Sequence, residues 1–137
     1  MTEFTIGHVA RATGCKVPTI RYYEQIGLLP KPHRSSGNTR IYGAEHLARL
    51  GFIQHCRDLG FSQPATRELL ELSDHPDHSC DAVTDIARAH LQDVNRRIER
   101  LEALKVELES MIENCHGGSV EQCHIVEALA DYSRTDA

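Results

Sequence analysis

Val17-Pro18-Thr19-Ile20-Arg21-Tyr22-Tyr23-Glu24-Gln25-Ile26-Gly27 is the stretch whose reading decides the fold. Proline is at home in the first turn of a helix, where its missing N–H costs nothing. From Thr19 to Gln25 nothing breaks a helix, and Gly27 stops it. Just upstream, Thr5 can cap a short helix in which Ile6, Val9 and Ala10 are apolar at helical spacing. Gly14 and Cys15 interrupt that helix before the second begins. Two short helices joined by a tight glycine-containing turn have the layout of a helix-turn-helix. In such a unit the second helix presents its N-terminal half to base edges in the major groove. Thr19, Arg21 and Tyr23 are then the polar residues placed to reach bases and phosphates, while Ile20 faces inward.

Downstream the character changes. Pro30, Pro32 and Ser35-Ser36-Gly37-Asn38 are turn formers, and Thr39-Arg40-Ile41-Tyr42 alternates polar and apolar like a short strand, which together predict a small hairpin or wing. Arg34 and Arg40 flank it and can clamp phosphates. A third helix fits Ala44 to Leu59, with Leu47, Leu50, Ile53 and Cys56 on one stripe, and a fourth fits Ser62 to Leu72. The polar, proline-broken stretch at 74–80 reads as a linker. From Asp81 to about Glu113 nothing interrupts a helix roughly 50 Å long at 1.5 Å per residue. Its apolar positions alternate by three and four through Ala87, Leu91, Val94, Ile98, Leu101, Leu108 and Ile112, with Lys105 on the seam and Leu104 covering the gap. A long helix with one apolar stripe needs a partner, and a second copy of itself is the expected one. Gly117-Gly118 form a loop, and Ile125 to Leu129 read as a short apolar helix before a polar tail. The expected organisation is mainly α: residues 1–73 a winged helix-turn-helix, 74–80 a linker, 81–114 a dimerisation helix, and 115–137 a loop, short helix and tail.

Charge divides the same way. Residues 1–70 hold nine Lys/Arg against five Asp/Glu, while residues 71–137 hold six against fifteen, within a net charge of -5. A basic N-terminal half on an acidic chain is compatible with nucleic-acid binding by that half alone. No apolar run approaches the roughly 18 residues that span a bilayer, and Met1-Thr2-Glu3-Phe4 does not open a secretory signal, so a cytoplasmic protein is expected. No Ser/His/Asp set, phosphate-cradling glycine loop or paired-carboxylate cleft supports an enzyme.

Five cysteines, an odd number in a reducing compartment, argue against a disulfide framework. Cys115 and Cys123 bracket a short glycine-containing loop and can grip one ion, yet no C-x-x-C is present, so spacing alone leaves buried or redox thiols open. Cys15, in the turn of the helix-turn-helix, and Cys56, on the apolar stripe of the third helix, read as small buried hydrophobes.

Thr19-Ile20-Arg21-Tyr22-Tyr23-Glu24, Gly27-Leu28-Leu29-Pro30 and Asn38-Thr39-Arg40-Ile41-Tyr42 resemble, in order and spacing, the N-terminal domain of the MerR family of regulators, over about residues 4–72. The resemblance implies a homodimer joined through an antiparallel coiled coil, bound to a pseudo-palindromic operator in promoter DNA whose spacer is too long. It further implies RNA polymerase at that promoter as a partner, with repression before the inducer binds and activation by DNA distortion afterwards. By position the family's DNA contacts fall on Arg21, Tyr23, Arg34, Arg40 and Tyr42. Thr39 stands where the family usually has Tyr, so that contact is in doubt.

Cys80, Cys115 and Cys123 resemble the ligand positions of the metal-sensing subgroup. In an antiparallel dimer, Cys80 of one copy lies beside the loop of the other, so the three thiols would meet only across the interface. A cysteine at the Cys80 position looks like the mark of divalent-metal sensors, which points to zinc or cadmium, with lead or mercury next, rather than to monovalent copper-type ions. His116 stands where zinc sensors carry a second loop cysteine; His116, His124 and His78 are further donor candidates, each more readily read as a solvated or supporting residue. Two other readings stay open: a thiol-redox regulator using Cys115 and Cys123, and a metal-storage or metallochaperone protein. Activation by oxidant in a chelated sample would favour the first, and failure to bind any promoter fragment the second.

Overall fold

The computed structural model describes residues 3–115 and 117–131. In chain order the elements are α1 (Ile6–Thr13), α2 (Val17–Gln25), β1 (His33–Arg34), β2 (Arg40–Ile41), α3 (Ala44–Asp58), α4 (Gln63–Ser73), α5 (Asp81–Glu113), a 3-10 turn (Val120–Gln122) and α6 (His124–Ala130). The chain divides into two compact units, Met1–Ala87 and Arg88–Ala137, the boundary falling inside α5.

In the first unit, Thr5 caps α1 as its position suggests, its hydroxyl accepting from the His8 amide at 3.2 Å. Gly14 ends α1 at φ +73°, its N–H bonded to the Ala10 carbonyl at 2.9 Å. A side chain resists that left-handed exit, which is why glycine makes the turn. The core gathers Val9 and Cys15 from this region, Ile20 and Tyr23 from α2, Leu28 and Leu29 after it, Tyr42, then Leu50, Ile53 and Leu70 from α3 and α4. Full burial of each large apolar side chain stabilises by about 1.5–3 kcal/mol before entropy is counted.

Two arginines fix the exit of α2. Arg49 on α3 donates to the Leu28 carbonyl at 3.3 Å while its guanidinium forks the Asp74 carboxylate at 2.9 and 3.1 Å. Arg67 on α4 donates to the Ile26 carbonyl. α2 is thereby held by polar bonds as well as by Ile20.

β1 and β2 pair antiparallel, His33 opposite Ile41 and Arg34 opposite Arg40. Their reversal is closed by Ser35 N–H to Thr39 O at 2.8 Å and passes through Asn38 at φ +63°. Tyr42 pairs by two backbone bonds of 2.8 Å with Phe4, tying the end of the hairpin to the start of the chain. His46 closes the first turn of α3: its Nδ1 accepts from the Gly43 N–H at 2.9 Å, and its ring meets Tyr42 edge-on.

α5 runs 33 residues, over the span its periodicity predicts, and none of them is buried. Leu91, Ile98, Leu101, Leu104, Leu108 and Ile112 are all exposed. The surface pairs of Asp93 with Arg96 and Arg97 add little, as exposed pairs do. After Cys115 the loop contains Gly117 and Gly118 with positive φ, then the 3-10 turn and α6. Sequence alone reads Gly117 to His124 as plain loop; the 3-10 turn lies within it, and α6 starts one residue before the expected Ile125. No described helix is long and apolar enough to cross a membrane.

Candidate nucleic-acid interface and thiol pair

Arg21, Glu24 and Gln25 on α2, Lys31 and Pro32 before the hairpin, and Arg34 and Arg40 within it line one groove. Arg21, Lys31 and Arg34 are exposed and Arg40 half-exposed. Arg34 bends one nitrogen to the Asn38 carbonyl at 3.1 Å, which steadies the hairpin tip. Four cations around a concave surface beside a helix-turn-helix are suited to a polyanionic backbone. Lys31 escaped the sequence reading; lying between Pro30 and Pro32, it carries a signal only once the hairpin is seen to fold beside α2.

Tyr23 and Tyr42, expected beside these arginines as contact residues, lie in the core. Tyr42 is 0 % exposed and Tyr23 5 %. Tyr42 donates its hydroxyl to Glu24 Oε1 at 2.9 Å. Its pKa is pushed up to about 12 by burial first and then by Glu24, against the pull of Arg40 and Arg21. Tyr23 receives a long 3.5 Å contact from Arg57. Spacing explains the burial of Tyr23: it stands three residues after Ile20, on the same inner face of α2. Tyr22 is the exposed tyrosine of the pair, its hydroxyl 3.4 Å from Gln63 Nε2. Thr19 is half-buried at a cleft it shares with Pro18, Tyr22 and Arg57.

In the second unit, Cys115 Sγ and Cys123 Sγ face each other at 3.8 Å. Cys115 follows the last turn of α5, its N–H on the Ile112 carbonyl at 3.1 Å, and Cys123 caps α6. The backbone N–H groups of Val126 and Ile125, aimed at the Cys123 sulfur, hold its thiol below the usual range. Both cysteines are partly exposed. At a zinc–sulfur distance of about 2.3 Å, two thiolates at the tetrahedral angle stand about 3.8 Å apart, and two in a linear arrangement about 4.6 Å. The observed spacing fits the first.

Among the described residues of one chain, no group of three or more His, Cys, Asp or Glu is placed to hold a metal. His124 lines a separate groove with Met111, Asn114 and Ala128 and does not complete the thiol pair. His116 lies outside the described residues. Cys80 is exposed just before α5, its sulfur 3.9 Å from Thr84 Oγ1, and His78 sits two residues earlier with its ring against His75. Cys15 and Cys56 are buried as expected, and burial pushes both thiols up, against Arg57 at the first and Thr66 at the second.

Two family models match the chain: the MerR HTH family regulatory protein over residues 4–73 and the MerR DNA-binding model over residues 47–111. The chain is similar to the HTH-type transcriptional regulator ZntR homolog of Haemophilus influenzae, 44 % identical over 75 % of this chain and 76 % of that protein. It is also similar to the HTH-type transcriptional regulator HmrR of Rhizobium leguminosarum bv. viciae, 39 % identical over 92 % of this chain and 97 % of the relative. Among solved structures, the transcription regulator PbrR691 from Ralstonia metallidurans, in complex with lead(II), superposes with a TM-score of 0.81 at 38 % identity, covering 93 % of this chain and 99 % of that one. These relatives are regulators and not enzymes, and the chain belongs to the MerR family of transcriptional regulators.

Proposed function

We propose that this chain is a metal-responsive regulator that binds promoter DNA as a homodimer and activates transcription when a divalent soft or borderline ion binds. The observation that carries the reading is the 3.8 Å separation of the Cys115 and Cys123 sulfurs, in a chain whose N-terminal unit belongs to a DNA-binding family. Two thiolates at a tetrahedral bite need further donors, and the single chain offers none among its described residues. Cys80 of a second copy is the donor we assign. The exposed apolar stripe of α5 supports the pairing of two copies, because leaving Leu91, Ile98, Leu101, Leu108 and Ile112 in water is unfavourable. Antiparallel pairing along α5 sets the Cys80 end of one copy against the Cys115 end of the other.

Three thiolates suit zinc, cadmium, lead or mercury, and the tetrahedral spacing favours zinc or cadmium over ions that prefer linear coordination. The lead(II) held by the related PbrR691 keeps lead in the set to be tested. On the DNA side, Arg21, Arg34 and Arg40 are the contacts we assign, with Lys31 added and Thr19 at the edge of the surface. Tyr23 and Tyr42 act from the core by holding α2 and the hairpin in place. Activation follows from differential binding: an ion held across two copies stabilises the arrangement of DNA-binding units that distorts the promoter for RNA polymerase.

The test is a titration of the reduced protein with zinc, cadmium, lead, mercury and monovalent copper, read by thiolate charge-transfer absorbance and by transcription from a bound promoter. Divalent ions bind and activate, and Cys80→Ser loses that response while keeping its DNA affinity. Metal induction unchanged in Cys80→Ser removes Cys80 from the site; binding confined to monovalent ions removes the divalent reading.

A further inference from the structure

Cys115 and Cys123 differ from the chain's other three cysteines. Cys15 and Cys56 are each only 6 % exposed, and Cys80 has a hydroxyl, not a sulfur, beside it. The Cys115 and Cys123 sulfurs are 3.8 Å apart within one chain, and a disulfide needs about 2.05 Å. Closing that gap takes less than 2 Å of movement. The chain between them contains Gly117 and Gly118 at φ +83° and +100°, and residues 117 to 122 are all exposed.

We propose that Cys115 and Cys123 also form a reversible disulfide within one chain by exchange with a low-molecular-weight disulfide, and that the oxidised pair is closed to metal. In the first step the thiolate of one cysteine attacks a sulfur of the small disulfide, forming a mixed disulfide and expelling one small thiolate. In the second step the neighbouring thiolate attacks the protein sulfur of that mixed disulfide, forming the Cys115–Cys123 bond and expelling the second small thiolate. Two protein thiols are oxidised, one small disulfide is reduced, and the two thiol protons end on the two released thiols. A thiol already 3.8 Å away is present at the effective concentration of a short tether, millimolar or above, so ring closure outruns trapping by a second small molecule. Oxidation is therefore not the inducing signal: it replaces both thiolates with a neutral disulfide, a poor metal ligand, and makes the chain deaf to metal. The disulfide itself stands on the sulfur separation alone, and its competition with metal rests on the metal-responsive reading above.

The full-length reduced protein, freed of metal with a chelator, is equilibrated with mixtures of reduced and oxidised glutathione, quenched in acid, alkylated and weighed. A population carrying two alkyl groups fewer than the fully reduced protein, with Cys115 linked to Cys123 in the peptide map, is expected, and Cys80→Ser forms the same linkage equally well. Cys123→Ser stops instead at a glutathione adduct on Cys115. Separate glutathione adducts on Cys115 and Cys123, a covalent dimer through Cys80, or a pair reduced at every ratio overturns the proposal. A repeat with zinc added before the oxidant separates the two claims. Protection by zinc supports the competition, whereas disulfide formation unaffected by saturating zinc overturns the competition and leaves the disulfide standing.

Discussion

Tyr42 shows how a residue can matter to the proposed DNA-binding surface without lying on it. Its hydroxyl joins the end of the hairpin to Glu24 on α2, so the two basic arms of the groove are braced from beneath. Tyr42→Phe removes that bond and leaves a carboxylate without its donor, costing about 1–2 kcal/mol in urea unfolding. Burial of the Tyr42 hydroxyl, and then that bond, set an alkaline limit. The Tyr42 pKa is raised from 10.0 to about 12 in the fold, so the neutral form is the one the fold stabilises. Its contribution is complete below pH 10 and is lost as pH rises towards 12. Tyr42→Phe therefore flattens stability between pH 10 and 12, and an unchanged slope there would place the alkaline loss elsewhere. Arg34→Ala is expected to act differently: it gives up one exposed bond at the hairpin tip, worth no more than about 1 kcal/mol, while affinity falls for every DNA sequence alike and the slope of log affinity against log salt drops by about one. Strand alternation in Thr39-Arg40-Ile41-Tyr42 could not assign Tyr42 to the core, because its burial comes from pairing with Phe4 at the far end of the unit and from the His46 ring.

At the scale of elements the sequence was far more legible. Helix starts and stops are local events: the Thr5 hydroxyl, the left-handed Gly14 and the Ser62 cap on α4, whose hydroxyl accepts from Ala65 N–H, act within four residues and can be read from four residues. The length of α5 was readable because nothing between Asp81 and Glu113 breaks a helix. What covers it was not, since a stripe specifies that a partner is needed and leaves the partner's direction open. The 3-10 turn at Val120–Gln122 was missed for the opposite reason: three residues are too short a run to show a period. The stripe makes a direct prediction. Leu101 is 63 % exposed in the single chain and sits mid-helix. If two copies meet along α5, Leu101→Glu places two like charges in the seam and shifts sedimentation from dimer to monomer at micromolar protein. Arg97→Glu, on the salt-bridged face beside Asp93, leaves the dimer intact. Dimerisation unaffected by Leu101→Glu would move the interface off this stripe.

The whole molecule raises a question that one chain cannot answer alone, whether Cys80 serves the thiol pair of its own copy or of another. Residues that meet only across an interface share no local spacing, so the sequence suggested Cys80 by resemblance and not by pattern. Within the chain's described residues no third donor joins the thiol pair, and the trans arrangement is the one proposed to complete it. Mixed dimers separate the arrangements. A copy carrying Cys80→Ser retains Cys115 and Cys123; a copy carrying Cys123→Ser retains Cys80. Each homodimer lacks a complete three-thiolate site under either arrangement. In the mixed dimer the trans arrangement rebuilds one full site, from the first copy's thiol pair and the second copy's Cys80, whereas a site built within one chain is rebuilt nowhere. Co-expression with two affinity tags and purification over both should yield a species that takes up one cadmium ion per two chains with the charge-transfer absorbance of three thiolates. Because the pair binds through thiolates, uptake should release protons and weaken as pH falls. A mixed dimer no better than its two parents at binding cadmium would return Cys80 to its own chain or remove it from the site, and the proposed coupling of metal to dimer geometry would fall with it.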